Sequence, residues 1–233
     1  MSEKPNVLII GGNRGLGLEW TKQWLERSAN VFATAREPEK SRDLHSLRGK
    51  FPNTLQILQV DVSSDDSIKS LAGEFGETPL DILIHNSGIG GRVDLDNPDT
   101  EKVIHVFNVN SVGALRTVSA FRKNLKMASG RGKIALITSL MGSIDDNRSG
   151  GSYAYRMSKA ALNMAGKSMS VDLAADDIDV ILLHPGWVRT DMGGSSARIS
   201  TGESVSGMMK ILDKLDASIS GTFWHTNGQE LEW

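Results

Sequence analysis

The sequence predicts an α/β fold: a doubly wound, Rossmann-like parallel sheet in a single domain spanning residues 1–233. Three observations support this prediction. Short apolar runs recur along the chain, and the stretches between them are long enough for amphipathic crossover helices. Most runs are apolar at nearly every position, which is typical of strands covered by helices on both faces. No linker, internal repeat or low-complexity segment divides the 233 residues, a length that suits one domain.

Seven strands are predicted, each bounded by Gly, Asp, Asn or Pro. In chain order they cover residues 7–10, 31–35, 55–60, 82–85, 134–138, 180–183 and 221–225. Helices are predicted at 16–27, 101–127 and 152–175. Most of the Gly-rich segments, at 11–17, 88–91, 142–151 and 186–194, follow a strand. Open α/β sheets bind ligands beyond the carboxyl ends of their strands, so a ligand site is expected there.

Composition excludes several classes of function. The 26 basic and 28 acidic residues give a formal charge of −2, without the basic excess typical of nucleic-acid binders. There are no cysteines, which rules out disulfides and thiolate metal sites, and the five histidines are too scattered for a short zinc motif. No apolar run reaches the roughly 20 residues that a membrane helix needs. The first apolar run begins at Asn6, which leaves no room for a signal peptide, so we expect a cytoplasmic protein without nucleic-acid, membrane or metal partners.

The segment after the first predicted strand has the glycine spacing GxxxGxG, at Gly11, Gly15 and Gly17. A tight turn of this kind lets a pyrophosphate approach the backbone, and the next helix offers its free N–H groups and positive dipole end to the anion. Alone the motif is weak. Simple strand-to-helix turns and methyltransferases carry similar patterns, so it indicates a nucleotide site without establishing one.

Two arginines bear on which nucleotide would bind. Arg14 lies inside the glycine loop, and Arg36 follows the second predicted strand, whose end faces the adenosine ribose in a dinucleotide fold. An acidic residue there would bind the 2′-hydroxyl of NAD, whereas arginine accommodates the 2′-phosphate of NADP. Residues 34–36 contain no Asp or Glu. Each arginine alone could be a solvated surface residue, but the two together favour NADP(H).

A candidate acid/base group lies further along the chain. Tyr155 and Lys159 are four residues apart in a predicted helix and so share one face, and Ser139 follows the fifth predicted strand. A phenol titrates at about pH 10 in water, and a nearby ammonium lowers that pKa. Such a phenol can exchange a proton with a carbonyl or alcohol oxygen near neutral pH, while Ser139 hydrogen-bonds the same oxygen. The alternative is an amphipathic helix with a core tyrosine and a solvated lysine.

Together these residues resemble the motifs of the short-chain dehydrogenases/reductases over nearly the whole chain. Asn110, Ser139, Tyr155 and Lys159 match that family's catalytic tetrad, in which the asparagine holds a water in a proton relay from the lysine to solvent. The other motifs are similar to the family's cofactor-binding segments. The resemblance implies NADP(H) as cofactor, held by Gly11, Asn13, Arg14, Gly15, Leu16, Gly17, Arg36, Asp61, Val62, Asn86, Ser87, Gly88, Tyr155, Lys159, Pro185, Gly186, Val188 and Thr190.

Residues 12–19, 153–163 and 184–188 are similar to a narrower branch, the carbonyl reductases of the C-factor and sniffer type, as are residues 228–233. Three positions depart from the family pattern. Ile10 stands where a loop-bracing threonine is usual, and His85 and Ser87 replace the usual Asn and Ala around the asparagine at 86. The departures put the local packing of the loop in doubt, and leave the tetrad complete.

The resemblance implies an NADPH-dependent oxidoreductase that reduces an aldehyde or ketone to an alcohol by hydride transfer, with Tyr155 as general acid. Two alternatives stay open. One is a catalytically weak NADP-binding signalling or redox-sensing protein of the same fold, although such a protein has no need of Tyr155. The other is a methyltransferase, whose donor carries no phosphate and leaves Arg14 and Arg36 without a role.

The substrate is expected to be a small carbonyl compound. Residues 190–201 are rich in Gly, Ser and Met and are expected to form a mobile lid that closes over it. Trp187, Met141 and Met192 are candidates for an apolar pocket lining, although residues of these types also occur in cores.

A homodimer is expected, or a tetramer. In family members that associate, the helices corresponding to 101–127 and 152–175 pack in a four-helix contact. The stretch between Ser139 and Tyr155 is too short for a helix that would cover this surface. A helix on a sheet needs one apolar stripe, and apolar residues beyond it mark an interface. The candidate outward residues, some of which must face the sheet, are Val112, Leu115, Val118, Phe121, Leu162, Met164, Met169 and Leu173.

Overall fold

The structure, a computed structural model, describes residues 4–233. The first three residues, and with them part of the segment used above to exclude a signal peptide, lie outside the described residues. Within residues 4–233 none of the helices is long and apolar enough to cross a bilayer.

Seven parallel strands form one sheet within the described part of the chain, in the order β3-β2-β1-β4-β5-β6-β7. The prediction of a doubly wound parallel sheet is therefore confirmed. Strands five and six begin two residues earlier than predicted, because the sequence before each apolar run also pairs in the ladder. The strands are β1 (Asn6–Ile10), β2 (Asn30–Ala35), β3 (Leu55–Gln59), β4 (Ile82–His85), β5 (Gly132–Ile137), β6 (Ile178–His184) and β7 (Thr222–His225).

Helices cover both faces of the sheet. One face is packed by the first two helices and the last, and the other mainly by the third, fifth and sixth, while α4 packs against α6. In chain order they are α1 (Gly15–Glu26), α2 (Arg42–Lys50), α3 (Asp65–Phe75), α4 (Thr100–Phe107), α5 (Gly113–Leu125), α6 (Tyr153–Asp172) and α7 (Thr201–Asp213).

The two-sided covering explains the apolar runs of the sequence. In β1, Val7 and Ile9 point towards α1 and α7, whereas Leu8 and Ile10 point towards α5 and α6. Successive strand residues alternate between faces, so a sheet buried on both sides requires apolar residues at consecutive positions. All four of these side chains are fully buried.

The chain order of the strands reverses between β1 and β4. At such a switch point the crossover helices leave in opposite directions, and a crevice opens beyond the carboxyl ends of the two strands. The glycine loop follows β1 at this point, so the fold places it at the expected ligand crevice.

The helix predicted at 101–127 is interrupted. A π-helical turn, Asn108–Val112, separates α4 from α5. A π turn inserts one extra residue without breaking the helix direction, which is why periodicity alone reads the segment as continuous. The turn contains Asn110, whose side chain is buried.

The candidate outward residues need correction. Five of the eight face the sheet and are buried, because they form the single apolar stripe by which each helix packs on β-strands. Val112 is half-buried, and only Leu115 and Met164 are largely exposed, at 53% and 67%. The five buried residues are Val118, Phe121, Leu162, Met169 and Leu173.

Candidate active site

The predicted site segments come together along the carboxyl edge of the sheet. Each segment begins one or two residues after a strand ends, so parallel pairing alone aligns them. Gly11 follows β1, Arg36 follows β2, Asp61 follows β3, Asn86 follows β4, Ser139 follows β5 and Pro185 follows β6.

The glycine loop is built so that side chains cannot fit. Gly11 and Gly15 have positive φ angles of 78° and 53°. A Cβ on Gly17 would lie 1.8 Å from the Gly11 carbonyl oxygen, and one on Gly12 would lie 2.9 Å from the Ala33 side chain. The loop therefore turns tightly against β2 and exposes backbone rather than side chains.

Helix α1 starts in this loop without a cap. Among residues 4–233 no side chain bonds the N–H groups of its first turn, and that turn holds no acidic residue. By contrast, Ser64 caps α3 and Ser200 forms a capping box with α7. The donors left free at α1 and the positive end of its dipole suit an anion such as a pyrophosphate. Asn13 and Leu16 are half-buried beside these donors.

Two residues brace the loop from neighbouring strands. The Gly11 N–H donates to Thr34 Oγ1 of β2 at 3.0 Å, and the Asn86 amide donates to the Gly11 carbonyl at 3.0 Å. Thr34 thus supplies the hydroxyl that Ile10 lacks, from a strand that lies alongside. A Cβ on Gly11 would lie 2.7 Å from Ser87 Oγ, so Ser87 also packs directly on the loop. The departures noted in the sequence leave the loop well supported.

The ends of β2 and β3 present one exposed cation and one half-buried carboxylate. Arg36 is exposed, whereas Asp61 is half-buried and accepts hydrogen bonds from the Ser63 N–H and hydroxyl at 2.9 and 2.6 Å. The Ser63 hydroxyl, with a smaller contribution from the Arg36 charge, lowers the pKa of Asp61. Val62 is buried against Gly113 at the start of α5. The free guanidinium at this edge is placed where an additional phosphate could bind.

The segment after β6 is held in shape by its own hydrogen bonds. Gly186 has a φ of 80°, and Val188 is buried. The Gly193 N–H donates to Thr190 Oγ1 at 3.1 Å, and the Trp187 indole donates to the Gly193 carbonyl at 2.8 Å. The predicted lid is therefore a series of hydrogen-bonded turns that ends where α7 begins.

The candidate substrate residues lie at the surface rather than in the core. Trp187 and Met192 are exposed by 49% and 56%, and Met141 is half-buried in the turn after Ser139. Met192 also approaches Gly90 of the segment after β4. Trp187 and Met192 are thus accessible to solvent on the segment that follows β6.

The Asn110 side chain is held by three hydrogen bonds to neighbouring residues. Its amide donates to the Ile89 carbonyl at 2.9 Å and to Ser158 Oγ at 2.9 Å, and its Oδ1 accepts from the Ile89 N–H at 2.8 Å. Ser158 in turn donates to the Tyr155 carbonyl at 2.8 Å. The π turn therefore ties the segment after β4 to the first turn of α6, which carries Tyr155 and Lys159.

Tyr155 and Lys159 share one face of α6, as their spacing predicts. Lys159 Nζ lies 5.8 Å from the centroid of the Tyr155 ring and donates to the Ile137 carbonyl at 2.9 Å. Ser139 follows β5 and is buried beside the tyrosine. A Cβ on Gly88 would lie 3.5 Å from Nζ and 3.4 Å from Asn110 Oδ1, so Asn110 and Lys159 approach each other here. Tyr155 adjoins Lys159, and Ser139 adjoins Tyr155.

The pKa shift of the Tyr155 phenol differs from the expected one. Burial raises the pKa of the Tyr155 phenol, and the Ser139 hydroxyl only partly offsets this. Burial also lowers the pKa of Lys159 to about 8. The expectation that the pKa of the phenol is lowered is therefore wrong for the protein chain by itself, because removal from water outweighs the hydrogen bond from Ser139. The phenol is a proton donor at neutral pH.

Sequence reasoning missed Thr34, Ser158 and the Ile89 backbone. It also missed Asp191, which forms an ion pair with Arg14 of the glycine loop. Ser158 could have been found, since it lies three residues after Tyr155 on the helix face that points inward. The others depend on contacts between segments far apart in the chain. Within residues 4–233 no group of three or more potential metal ligands occurs.

The chain belongs to the short-chain dehydrogenase family. Residues 5–199 match the family profile described as short chain dehydrogenase. C-signal of Myxococcus xanthus is 45% identical over 156 residues, which cover 66% of this chain and 93% of that protein. The protein is therefore a member of an oxidoreductase family, and C-signal is one of its relatives.

Solved structures place it beside carbonyl reductases. The NADPH-bound carbonyl reductase from chicken fatty liver superposes with a TM-score of 0.94 at 35% identity, over 100% of both chains. The carbonyl reductase Sniffer of D. melanogaster superposes with a TM-score of 0.93 at 33% identity, over 99% of this chain and 100% of that one. This confirms the resemblance to the C-factor and sniffer type.

Proposed function

We propose that residues 1–233 form a single NADP(H)-dependent oxidoreductase domain that reduces a small aldehyde or ketone to an alcohol. The observation that carries the proposal is the meeting of Asn110, Ser139, Tyr155 and Lys159 at the same sheet edge as the glycine loop. A proton donor and a dinucleotide crevice on one edge are the two requirements of carbonyl reduction.

The crevice residues fit a phosphorylated dinucleotide. Side chains are excluded at Gly11, Gly12 and Gly17, and the uncapped start of α1 offers donors to a pyrophosphate. Asp61-Val62 and Asn86-Ser87-Gly88 would flank the adenosine half, and Pro185, Gly186, Val188 and Thr190 the nicotinamide half. Arg14 and Arg36 supply the charge for a 2′-phosphate. The NADPH-bound carbonyl reductase from chicken supports this choice of cofactor.

When bound, NADPH supplies the hydride. Tyr155 donates its phenolic proton to the carbonyl oxygen as negative charge develops there, and Ser139 hydrogen-bonds the same oxygen and orients it. Lys159, held by the Ile137 carbonyl, places a positive charge next to the phenol and stabilises the phenolate that remains. Asn110 fixes the position of α6 through Ser158 and Ile89.

The direction of the Tyr155 pKa shift suits the role of a proton donor. Because burial raises the pKa of Tyr155, the phenol carries its proton at neutral pH and is ready to act as an acid. Alcohol oxidation would need the phenolate, which this environment disfavours. The proton that carbonyl reduction consumes is therefore in place on Tyr155 at neutral pH.

The experiment compares the parent protein with Tyr155→Phe, Arg36→Ala and Arg48→Ala. Tyr155→Phe should keep NADPH affinity and lose about 10²–10⁴-fold in turnover of carbonyl compounds. Arg36→Ala should lose about 1.5–3 kcal/mol of NADPH binding and little NADH binding, because it removes a charge-assisted phosphate contact. Arg48, an exposed arginine of α2, is the control for loss of one positive charge.

Two results would contradict the proposal. A parent protein that prefers NADH would overturn the cofactor assignment. Turnover by Tyr155→Phe near the parent rate would remove the acid and favour an NADP-binding protein without useful catalysis.

A further inference from the structure

One buried histidine has no role in the mechanism above. His85 ends β4 and is 0% exposed, and neither ring nitrogen has a hydrogen-bond partner within residues 4–233. Buried polar groups in native proteins are nearly always paired, with protein or with internal water. An imidazole with two unpaired nitrogens therefore points to a partner of small size.

The strand register places this ring on the catalytic side of the sheet. Leu83, two residues earlier in β4, points towards α5 and α6, so the His85 side chain points the same way. His85 pairs with Leu136 of β5, and the next residue, Ile137, accepts the hydrogen bond from Lys159 Nζ. Gly88, three residues after His85, lies against both Lys159 and Asn110.

The ring is neutral in the working pH range. Burial and the Lys159 charge lower the pKa of His85 to about 3. Among the described residues, Lys159 of α6 is the charged group that acts on it, and Tyr155 is the other titratable group at the site. A neutral imidazole offers one donor and one acceptor, which suits a water molecule that also touches an ammonium.

Asn110 is poorly placed to hold such a water with its side-chain amide. Both amide hydrogens are used, one on the Ile89 carbonyl and one on Ser158, and Oδ1 already accepts from Ile89. A water beside Lys159 would therefore take its hydrogen bonds from other groups nearby. His85 is buried, unpaired and on the same side of the sheet.

We propose that His85 is a positioning residue of the proton relay, holding an internal water beside the Lys159 ammonium. This rests on the proposed function. In each turnover one proton leaves the Tyr155 hydroxyl for the carbonyl oxygen, and Lys159 replaces it. The water passes a proton to Lys159 and recovers one from solvent. His85 stays neutral throughout and only orients the water.

The test uses His85→Leu, which removes hydrogen bonding at similar volume, and His85→Asn, which retains an amide. Leu83→Val is the matched control, because it alters packing two residues away on the same strand face. His85→Met provides a second apolar variant if the leucine variant does not fold. Turnover with NADPH, its pH profile and its solvent deuterium isotope effect are measured, together with NADPH affinity.

His85→Leu should lose about tenfold in turnover, the scale of one hydrogen bond, with unchanged NADPH affinity. Its isotope effect should rise, because proton resupply becomes limiting. The alkaline limb of its pH profile should move to lower pH, because the ammonium loses a hydrogen-bonded water. His85→Asn should recover most of the turnover, and Leu83→Val should change thermal stability but not the pH profile.

A measurement without cofactor separates this inference from the proposed function. In the cofactor-free protein labelled with ¹⁵N-histidine, the His85 ring should show one protonated nitrogen and magnetisation transfer from a bound water. Absence of that transfer would overturn the inference, as would parent-like turnover, isotope effect and pH profile in His85→Leu. A parent protein that binds no NADPH would instead overturn the proposed function, and the spectrum would still decide the role of His85.

Discussion

Arg14 Nη1 lies 2.7 Å from Asp191 Oδ2, which joins the glycine loop to the segment after β6 across 177 positions of the chain. Beside this ion pair, a Cβ on Gly15 would lie 3.4 Å from Thr190. The two walls of the dinucleotide crevice therefore meet at this point. Both charged side chains are largely exposed, at 63% and 81%, so the pair contributes about 1 kcal/mol at most.

Asp191 competes with a 2′-phosphate for Arg14, and this yields a prediction. Asp191→Asn should raise the affinity for NADPH relative to NADH by up to about fivefold, because the guanidinium is freed for the phosphate. Titration calorimetry with both dinucleotides at low and high salt measures the ratio, and salt should reduce the gain. Equal weakening of both dinucleotides would show that the pair closes over the pyrophosphate instead.

Gly17 and Gly73 make a matched pair for testing the loop. Gly17→Ala should destabilise the protein by about 1–3 kcal/mol and weaken NADPH binding, because a Cβ meets the Gly11 carbonyl at 1.8 Å. Gly73→Ala, in α3 with open space around it, should stabilise by about 0.5–1 kcal/mol. Urea unfolding measures both. A Gly17→Ala protein with parent stability and affinity would show that the loop is looser than described.

One buried histidine, His85, and one half-buried histidine, His184, predict loss of stability in acid. Burial lowers the pKa values of His85 and His184 to about 3 each. Below pH 6.5 the unfolded chain binds protons at these residues and the folded protein does not, so the free energy of unfolding falls as pH falls. Each histidine contributes up to about 1.4 kcal/mol per pH unit.

Urea unfolding between pH 6.5 and 5 measures this slope before carboxylates dominate. His85→Asn should reduce the slope by up to about 1.4 kcal/mol per pH unit, which is the contribution of one histidine. A slope that is the same in parent and variant would mean that His85 is protonated, or exposed to water, in the folded protein.

A homodimer remains a prediction, and the structure changes which residues are expected to form its interface. Met157, Met164 and Val171 are exposed on α6 at seven-residue spacing, and Ile104 and Leu115 are exposed on the neighbouring α4 and α5. Exposed apolar residues in stripes usually mark an interface. Light scattering should give twice the single-chain mass of 25.2 kDa.

Met164→Glu should return the mass to that of one chain, because a buried unpaired carboxylate is costly. Ile144→Glu is the control, since Ile144 is also exposed but lies outside α4, α5 and α6, in the turn region after β5. A parent mass near 25.2 kDa would contradict the prediction directly.

The sequence predicts the sheet because a strand buried on both faces requires apolar residues at consecutive positions, such as Val7 to Ile10. It predicts the glycine loop because tight turns and close backbone contacts demand glycine at fixed spacing. Tyr155 and Lys159 are predicted to share a face because helical geometry is local. These features depend on neighbours in the chain.

Features that depend on distant segments could not be predicted in the same way. Thr34 substitutes for the missing hydroxyl of Ile10 only because β1 and β2 pair in one particular register. The π turn around Asn110 adds one residue to a helix whose periodicity looks continuous. The pKa of Tyr155 moves opposite to expectation because burial is a property of the folded chain.

Hydride transfer to a carbonyl, with Tyr155 as proton donor, is the central claim, and isotope tracing tests it most directly. NADPH deuterated at the transferred position is incubated with an aldehyde or ketone turned over by the parent protein, and the alcohol is examined by mass spectrometry. The parent should yield alcohol with one deuterium at the former carbonyl carbon, and Tyr155→Phe should yield about 10²–10⁴-fold less in the same time. Alcohol without deuterium, or equal yields from both proteins, would contradict the account.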